Sequence, residues 1–115
     1  MHIEQVRECC LNLPFAEESM PFGEDVLVFK IEGKMFALLF LIPDKRWVNL
    51  KAEPSEVLRL KEECPAVMPA YHMNKKHWVS VKFEEASPQD LADWVRQSYD
   101  LVKAKLPLKI RKNLI

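Results

Sequence analysis

Between Lys34 and Ile42 every residue after the lysine is apolar: Met35, Phe36, Ala37, Leu38, Leu39, Phe40, Leu41 and Ile42. Successive side chains of a strand point to opposite faces, so Met35, Ala37, Leu39 and Leu41 take one face and Phe36, Leu38, Phe40 and Ile42 the other. A strand that is apolar on both faces has to be covered on both, which places it inside a sheet. It is also far too short to span a bilayer. Asp25–Ile31 is a second β-rich run, separated from the first by Glu32-Gly33. So short a glycine-containing link predicts a hairpin.

The flanking segments supply the layers. Ile3, Val6, Cys10 and Leu13 recur at helical spacing opposite Glu4, Arg7 and Glu8, and Pro14 stops that helix. The stretch Glu17–Gly23 reads as a loop. Arg46–Lys51 alternates, with Val48 and Leu50 on one face and Trp47, Asn49 and Lys51 on the other. Pro54 opens a short helix carrying Val57, Leu58 and Leu60, and Cys64-Pro65 ends it. His77–Phe83 alternates again, with Val79, Val81 and Phe83 facing away from Trp78, Ser80 and Lys82. In the last helix Ser87 is the cap, Pro88 the first residue, and Asp90 suits the dipole. Its stripe is Leu91, Trp94, Val95, Ser98 and Val102, and Pro107 ends it. The order α-β-β-β-α-β(β)-α predicts an α+β fold of two layers, an antiparallel sheet with helices mainly on one face. A chain of 115 residues without repeat or linker fits a single domain over 1–115.

Lysines plus arginines number 17, as do aspartates plus glutamates, so nucleic-acid binding has to rest on a local patch. Residues 1–50 hold 5 basic and 8 acidic side chains, and residues 51–115 hold 12 and 9. Cys9, Cys10 and Cys64, odd in number and without a CxxC spacing, read as free thiols of a reducing compartment. With an amphipathic N-terminus that is no signal peptide, a cytoplasmic protein without a membrane partner is expected.

From Pro69 to Trp78 the chain reads PAYHMNKKHW. With Pro21-Phe22-Gly23, Gly33-Lys34-Met35-Phe36-Ala37, Val48-Asn49-Leu50-Lys51, Ser98-Tyr99 and Leu106-Pro107, this segment resembles the MmcQ/YjbR family along nearly the whole chain. The resemblance implies a small bacterial two-layer α+β domain, described as frataxin-like or secretion-chaperone-like. It also implies DNA binding, a description that rests on fold likeness, and folds host many functions. Two positions depart from the family pattern. Ala70 stands where glycine is usual, which matters if that position needs positive φ. Glu53 precedes the middle helix where Asp or Ser caps better.

Two adjacent lysines with an amide, an imidazole and an indole suit phosphate clamping and stacking; the plain counter-reading of Asn74–Trp78 is a solvated loop. The strand phases place Trp47, Asn49, Lys51, Trp78, Ser80 and Lys82 on the face opposite the helices. Left open, that face suits nucleic acid, a peptide or a second subunit; covered by loops or the tail, it suits none. Lys103–Lys112 adds cations, which a helix C-terminus also attracts. No catalytic constellation emerges. Cys64 and His72 have no reason to meet, His72 and His77 match no zinc spacing, and Glu4 with Glu8 make no frataxin-like acidic ridge. Neither metal nor cofactor is expected.

The leading expectation is a non-catalytic module binding double-stranded DNA. Lys51, His72, Asn74, Lys75, Lys76, His77 and Trp78 form the site, and no base-reading helix implies little sequence preference. The alternative is a protein-interaction or self-associating domain using Trp47, Asn49, Trp78, Ser80 and Lys82.

Overall fold

A computed structural model describes residues 1–113. The elements are α1 (Ile3–Leu11), β1 (Glu17–Ser19), β2 (Val26–Ile31), β3 (Lys34–Phe40), β4 (Trp47–Lys51), α2 (Pro54–Glu63), β5 (Val67–Pro69), β6 (Trp78–Lys82), α3 (Pro88–Ala104) and α4 (Leu108–Lys112). The six strands pair antiparallel in the order β1-β2-β3-β4-β6-β5, giving the expected α+β class with β3 inside the sheet.

The helices all pack on one face of that sheet. Val6 and Cys10 of α1, Val57 and Leu60 of α2, and Leu91, Val95, Tyr99 and Val102 of α3 share a core with strand residues such as Leu39, Val48, Leu50, Val79 and Val81. On the other face Val26, Val28, Leu38, Phe40 and Trp78 are buried together with Ala70, partly covered by Tyr71 and Met73. The sheet thus has helices on one side and a single irregular segment on the other.

Local chemistry accounts for the ends. Ser87 Oγ accepts from the Asp90 amide at 3.1 Å, and Pro88 follows as the first residue of α3. His2 and Gln5 form a reciprocal capping box on α1. Glu53 makes no side-chain cap bond, as its length predicts, and Pro54 alone marks the start of α2.

Three features differ from the sequence reading. Glu17–Ser19 is a strand, not a loop: Glu18 pairs opposite Phe29, and its carboxylate binds Arg7 of α1, with Arg7 Nε to Oε2 at 2.8 Å. Leu108–Lys112 form α4, whose Ile110 packs against the helix-side core. The third feature is a bulge in β3. Phe29 pairs with Ala37 and Lys30 with Met35, which leaves Phe36 without a partner across the hairpin. One extra residue inverts every face N-terminal to it. Phe36 therefore joins Ala37 and Leu39 on the helix side, meeting Tyr99 edge-on at 5.3 Å, while Met35 moves to the face of Leu38 and Phe40.

The bulge also frees the Phe36 carbonyl, and Ser98 takes it up. Ser98 Oγ donates to Phe36 O at 2.6 Å and accepts from the Lys51 amide at 2.8 Å. A helix hydroxyl is thereby spliced between β3 and β4 where their direct ladder ends. Tyr99 OH donates to Pro14 O at 2.6 Å and fastens α3 to the end of the α1 turn.

Candidate functional site

The strand phases of β4 and β6 stand as the alternation requires. Trp47 lies opposite Lys82, Asn49 opposite Ser80, and Lys51 opposite Trp78, with the valines and Leu50 on the helix side. The face they share is nevertheless closed, which corrects the expectation of an open interface. Asn49 and Ser80 have no exposed surface and Trp78 is 8% exposed. The cover is the segment around Tyr71. Tyr71 N–H donates to Ser80 Oγ at 2.9 Å, Asn49 Nδ2 donates to Tyr71 O at 2.8 Å, and Ser80 Oγ donates to Asn49 Oδ1. The cross-strand pair thus offers one acceptor and one donor to a peptide crossing above it, and all three residues satisfy one another. Trp47 is half-buried, packed on Tyr71 at 5.4 Å and Phe40 at 6.3 Å. Of the residues expected to form the interface, Trp47 and Lys82 are half-buried, and Asn49, Trp78 and Ser80 are buried.

Past Tyr71 the segment turns back into β6. His72 takes the left-handed conformation, φ 56°, as do Phe15 and Glu32. Ala70 is not among the residues of positive φ, so alanine there carries no strain of that kind. Asn74 Oδ1 accepts from the Lys76 amide at 2.8 Å, and Asn74 O accepts from Trp78 N at 3.0 Å. Asn74 is therefore the turn's own organiser. Lys75 Nζ donates to Ala70 O at 3.1 Å, while Lys76 is exposed. His77 O accepts from Ala52 N at 2.9 Å, which sets the turn beside the end of β4.

That end of the sheet is rich in lysine. Lys34 begins β3, Lys51 ends β4, and Lys105 follows the last turn of α3. Together with Met35, Trp78, Val102 and Leu106 they line a cleft of about 410 Å³. Lys51 Nζ stands 6.0 Å from the centre of the Trp78 ring. Partial burial lowers the proton affinity of the Lys51 amine, the charge of Lys105 lowers it further, and Glu53 opposes both. The sequence reading named Lys51, Lys75, Lys76, His77 and Trp78 of this end and weighed Lys105 only within the basic stretch Lys103–Lys112; it left out Lys34, and tertiary packing alone brings Lys34 and Lys105 to the same cleft. Gly33-Lys34 was visible as a hairpin signal, without a hint of which neighbours it would meet.

His72 is elsewhere. It lines an apolar groove of about 290 Å³ with Phe22, Val26, Met35, Leu38, Phe40, Tyr71 and Met73. Its ring lies 4.0 Å from that of Tyr71, centre to centre. Among the described residues no three metal-capable side chains cluster, and no helix is long and apolar enough to cross a membrane.

A family model described as YjbR matches residues 11–101. The chain is 39% identical over 112 residues to the uncharacterized protein YbdF of Escherichia coli O157:H7, covering 96% of this chain and 92% of that one. It is 28% identical over 116 residues to the uncharacterized protein YjbR of Escherichia coli strain K12, covering 100% and 98%. The crystal structure of Deinococcus radiodurans protein DR2400, a DUF419 domain, matches with a TM-score of 0.89 at 34% identity over 98% of this chain and 87% of that one. A crystal structure of a Pseudomonas syringae protein matches at 0.79 with 26% identity, over 89% and 99%.

Proposed function

The chain belongs to the YjbR family, and on that premise we propose that it is a non-catalytic module binding the backbone of double-stranded DNA at the lysine-rich end of its sheet. The supporting observation is an imbalance of pairing within a chain of balanced charge. Arg7, Arg46, Arg59 and Arg96 each sit against a carboxylate. Among the described residues Lys82 is the one lysine in an ion pair; of the unpaired lysines, Lys34, Lys51 and Lys105 line one cleft, and Lys75 and Lys76 lie in the turn that leads into Trp78 of that cleft. Uncompensated lysines on one surface are the electrostatic footprint of a polyanion partner.

The roles differ from residue to residue. Lys51, Lys76 and Lys105 neutralise phosphates; Lys75 does so while also bracing the turn through Ala70. Asn74 and the buried Trp78 shape the turn and leave contact to the cations and His77. The contact surface is a turn and strand ends with no base-reading helix of its own, so binding follows charge and not sequence.

The test is fluorescence anisotropy of a labelled duplex across a salt series. Wild type is expected to bind at low salt on every sequence tried. Lys75→Ala/Lys76→Ala is expected to weaken binding and flatten the slope of log K against log salt by about two units, roughly one per phosphate contact. Absence of binding at micromolar protein even at low salt would sink the reading.

A second reading, a protein partner, is favoured by one observation. Phe22 is 63% exposed at the rim of the apolar groove that holds His72. Large exposed apolar surface of this kind marks contact sites more often than chance. It replaces the Trp47/Trp78 face as the surface on which a partner or second copy would sit. Phe22→Ser should then shift a concentration-dependent mass in light scattering; a monomer at every concentration, for both proteins, removes self-association.

A further inference from the structure

We propose that the cleft between the end of α3 and the starts of β3 and β6 is a discrete site for a phosphomonoester dianion, held by Lys34, Lys51 and Lys105. Met35, Val102, Leu106 and the edge of Trp78 provide the wall for the organic group that carries it. This deepens the polyanion reading, since it rests on the same unpaired lysines, but it names a different preference: one dianionic head, not a run of monoanionic diesters.

The observations are geometric. Three lysines from three separate parts of the fold line one cleft, and none has a carboxylate within ion-pair distance among the described residues. The C-terminal end of α3 carries only about half a negative charge, which accounts for one neighbouring cation and not three. Lys51 is half-buried with its ammonium near the Trp78 ring, so its reach is restricted and directed. Burial lowers the proton affinity of Lys51 most, and the like charge of Lys105 in the same cleft lowers it further against the opposing pull of Glu53. An anion of two charges relieves that repulsion more than an anion of one. The volume of about 410 Å³ fits a small aromatic or sugar-sized body, within the range of small-molecule sites. The remaining lining is apolar, so the same cleft offers a charged head site and a dry wall.

The shared chemistry has two sources, a free small phosphomonoester and the 5′-terminal phosphate of a nucleic acid. The probe is phenyl phosphate at constant ionic strength, followed by backbone amide shifts of Lys51, Trp78 and Lys105 in two-dimensional NMR. Saturable shifts centred on these residues are expected below about 10 mM, with methyl phenyl phosphate, a monoanion of similar body, at least tenfold weaker. Lys34→Gln and Lys105→Gln alter exposed side chains, and each is expected to weaken phenyl phosphate by about tenfold. Lys75→Gln/Lys76→Gln, which tests the duplex-binding surface, is expected to leave it within about twofold.

Competition then separates the sources. Displacement of phenyl phosphate by a short duplex bearing a 5′-phosphate, and not by its unphosphorylated twin, supports the site with a nucleic-acid end as its ligand. Displacement by neither duplex supports it with a free phosphomonoester. Equal displacement by both overturns the dianion preference and leaves a general backbone contact. No saturable shift, or equal affinity for the diester, overturns the site while the anisotropy result for Lys75 and Lys76 stands on its own.

Discussion

Ser98→Ala removes the hydroxyl that joins α3 to β3 and β4, and its cost can be worked from two bonds. The Lys51 amide loses its acceptor at 2.8 Å and the Phe36 carbonyl loses its donor at 2.6 Å. Ser98 has no exposed surface, so water does not readily replace it. Each buried backbone group left unsatisfied costs about 1–3 kcal/mol, and partial relaxation brings the pair to about 2–4 kcal/mol. For 115 residues the unfolding entropy is about 0.24 kcal/mol per kelvin, so the melting midpoint should fall by about 8–16 °C. Calorimetry gives the midpoint, and amide exchange at Lys51 reports the local bond. An unchanged midpoint with a Lys51 amide still protected would refute the reasoning. It would mean that β3 and β4 close up and bond directly, making the serine an ornament of the bulge.

Two more perturbations test the packing. Asn49→Leu keeps the volume but strips the clamp of its amide, leaving Tyr71 O without its donor and the Ser80 hydroxyl hydrogen without its acceptor, while Ser80 Oγ still accepts from the Tyr71 amide. A loss of about 2–3 kcal/mol in urea melts and faster amide exchange from Tyr71 to Trp78 are expected; unaltered exchange would show that apolar cover alone holds the segment. The other perturbation is alkaline pH. Burial pushes the Cys10 thiol well above its ordinary range in the folded chain. A raised folded value contributes stability that is complete below the unfolded value, near 8.5, and is lost as pH rises beyond it. Between about pH 8.5 and 10 the unfolding free energy from urea melts should therefore drop, by up to about 1.4 kcal/mol per pH unit, and Cys10→Ala should make that decline shallower by about one proton. Equal slopes in the two proteins would show that Cys10 does not titrate on unfolding.

The sequence carried the layers and the family, because those depend on period and on local chemistry. Alternation in Trp47–Lys51 and Trp78–Lys82 gave the correct register faces, and Ser87-Pro88 marked the start of α3. The bulge at Phe36 was hidden because apolar residues on both sides of it make either phase look equally buried. β1 was hidden because Glu17-Glu18-Ser19 has no apolar side chain; it is a strand only because β2 lends it a partner. Of the candidate site, the chemistry of the PAYHMNKKHW segment was legible and its placement was not. Asn49 and Ser80 read as surface polar residues, and only the crossing peptide at Tyr71 turns them into a buried pair. Lys34 and Lys105 are separated by most of the chain, so no local pattern announces that they share a cleft with Lys51.

The sheet also governs how the molecule can meet its own kind. Its outermost strands are β1 and β5, each three residues long. An edge strand is a template on which another chain can add a strand of its own. At β1 an incoming strand meets Glu17 and Glu18, and two charged side chains in three positions leave little apolar surface to share. At β5 it meets Pro69, which has no N–H to offer. Both rims are therefore poor seeds for fibril growth, despite a strand as apolar as Lys34–Phe40. The residues most prone to aggregate are shielded by two strands on one side and three on the other, so any stacking has to begin at these two margins.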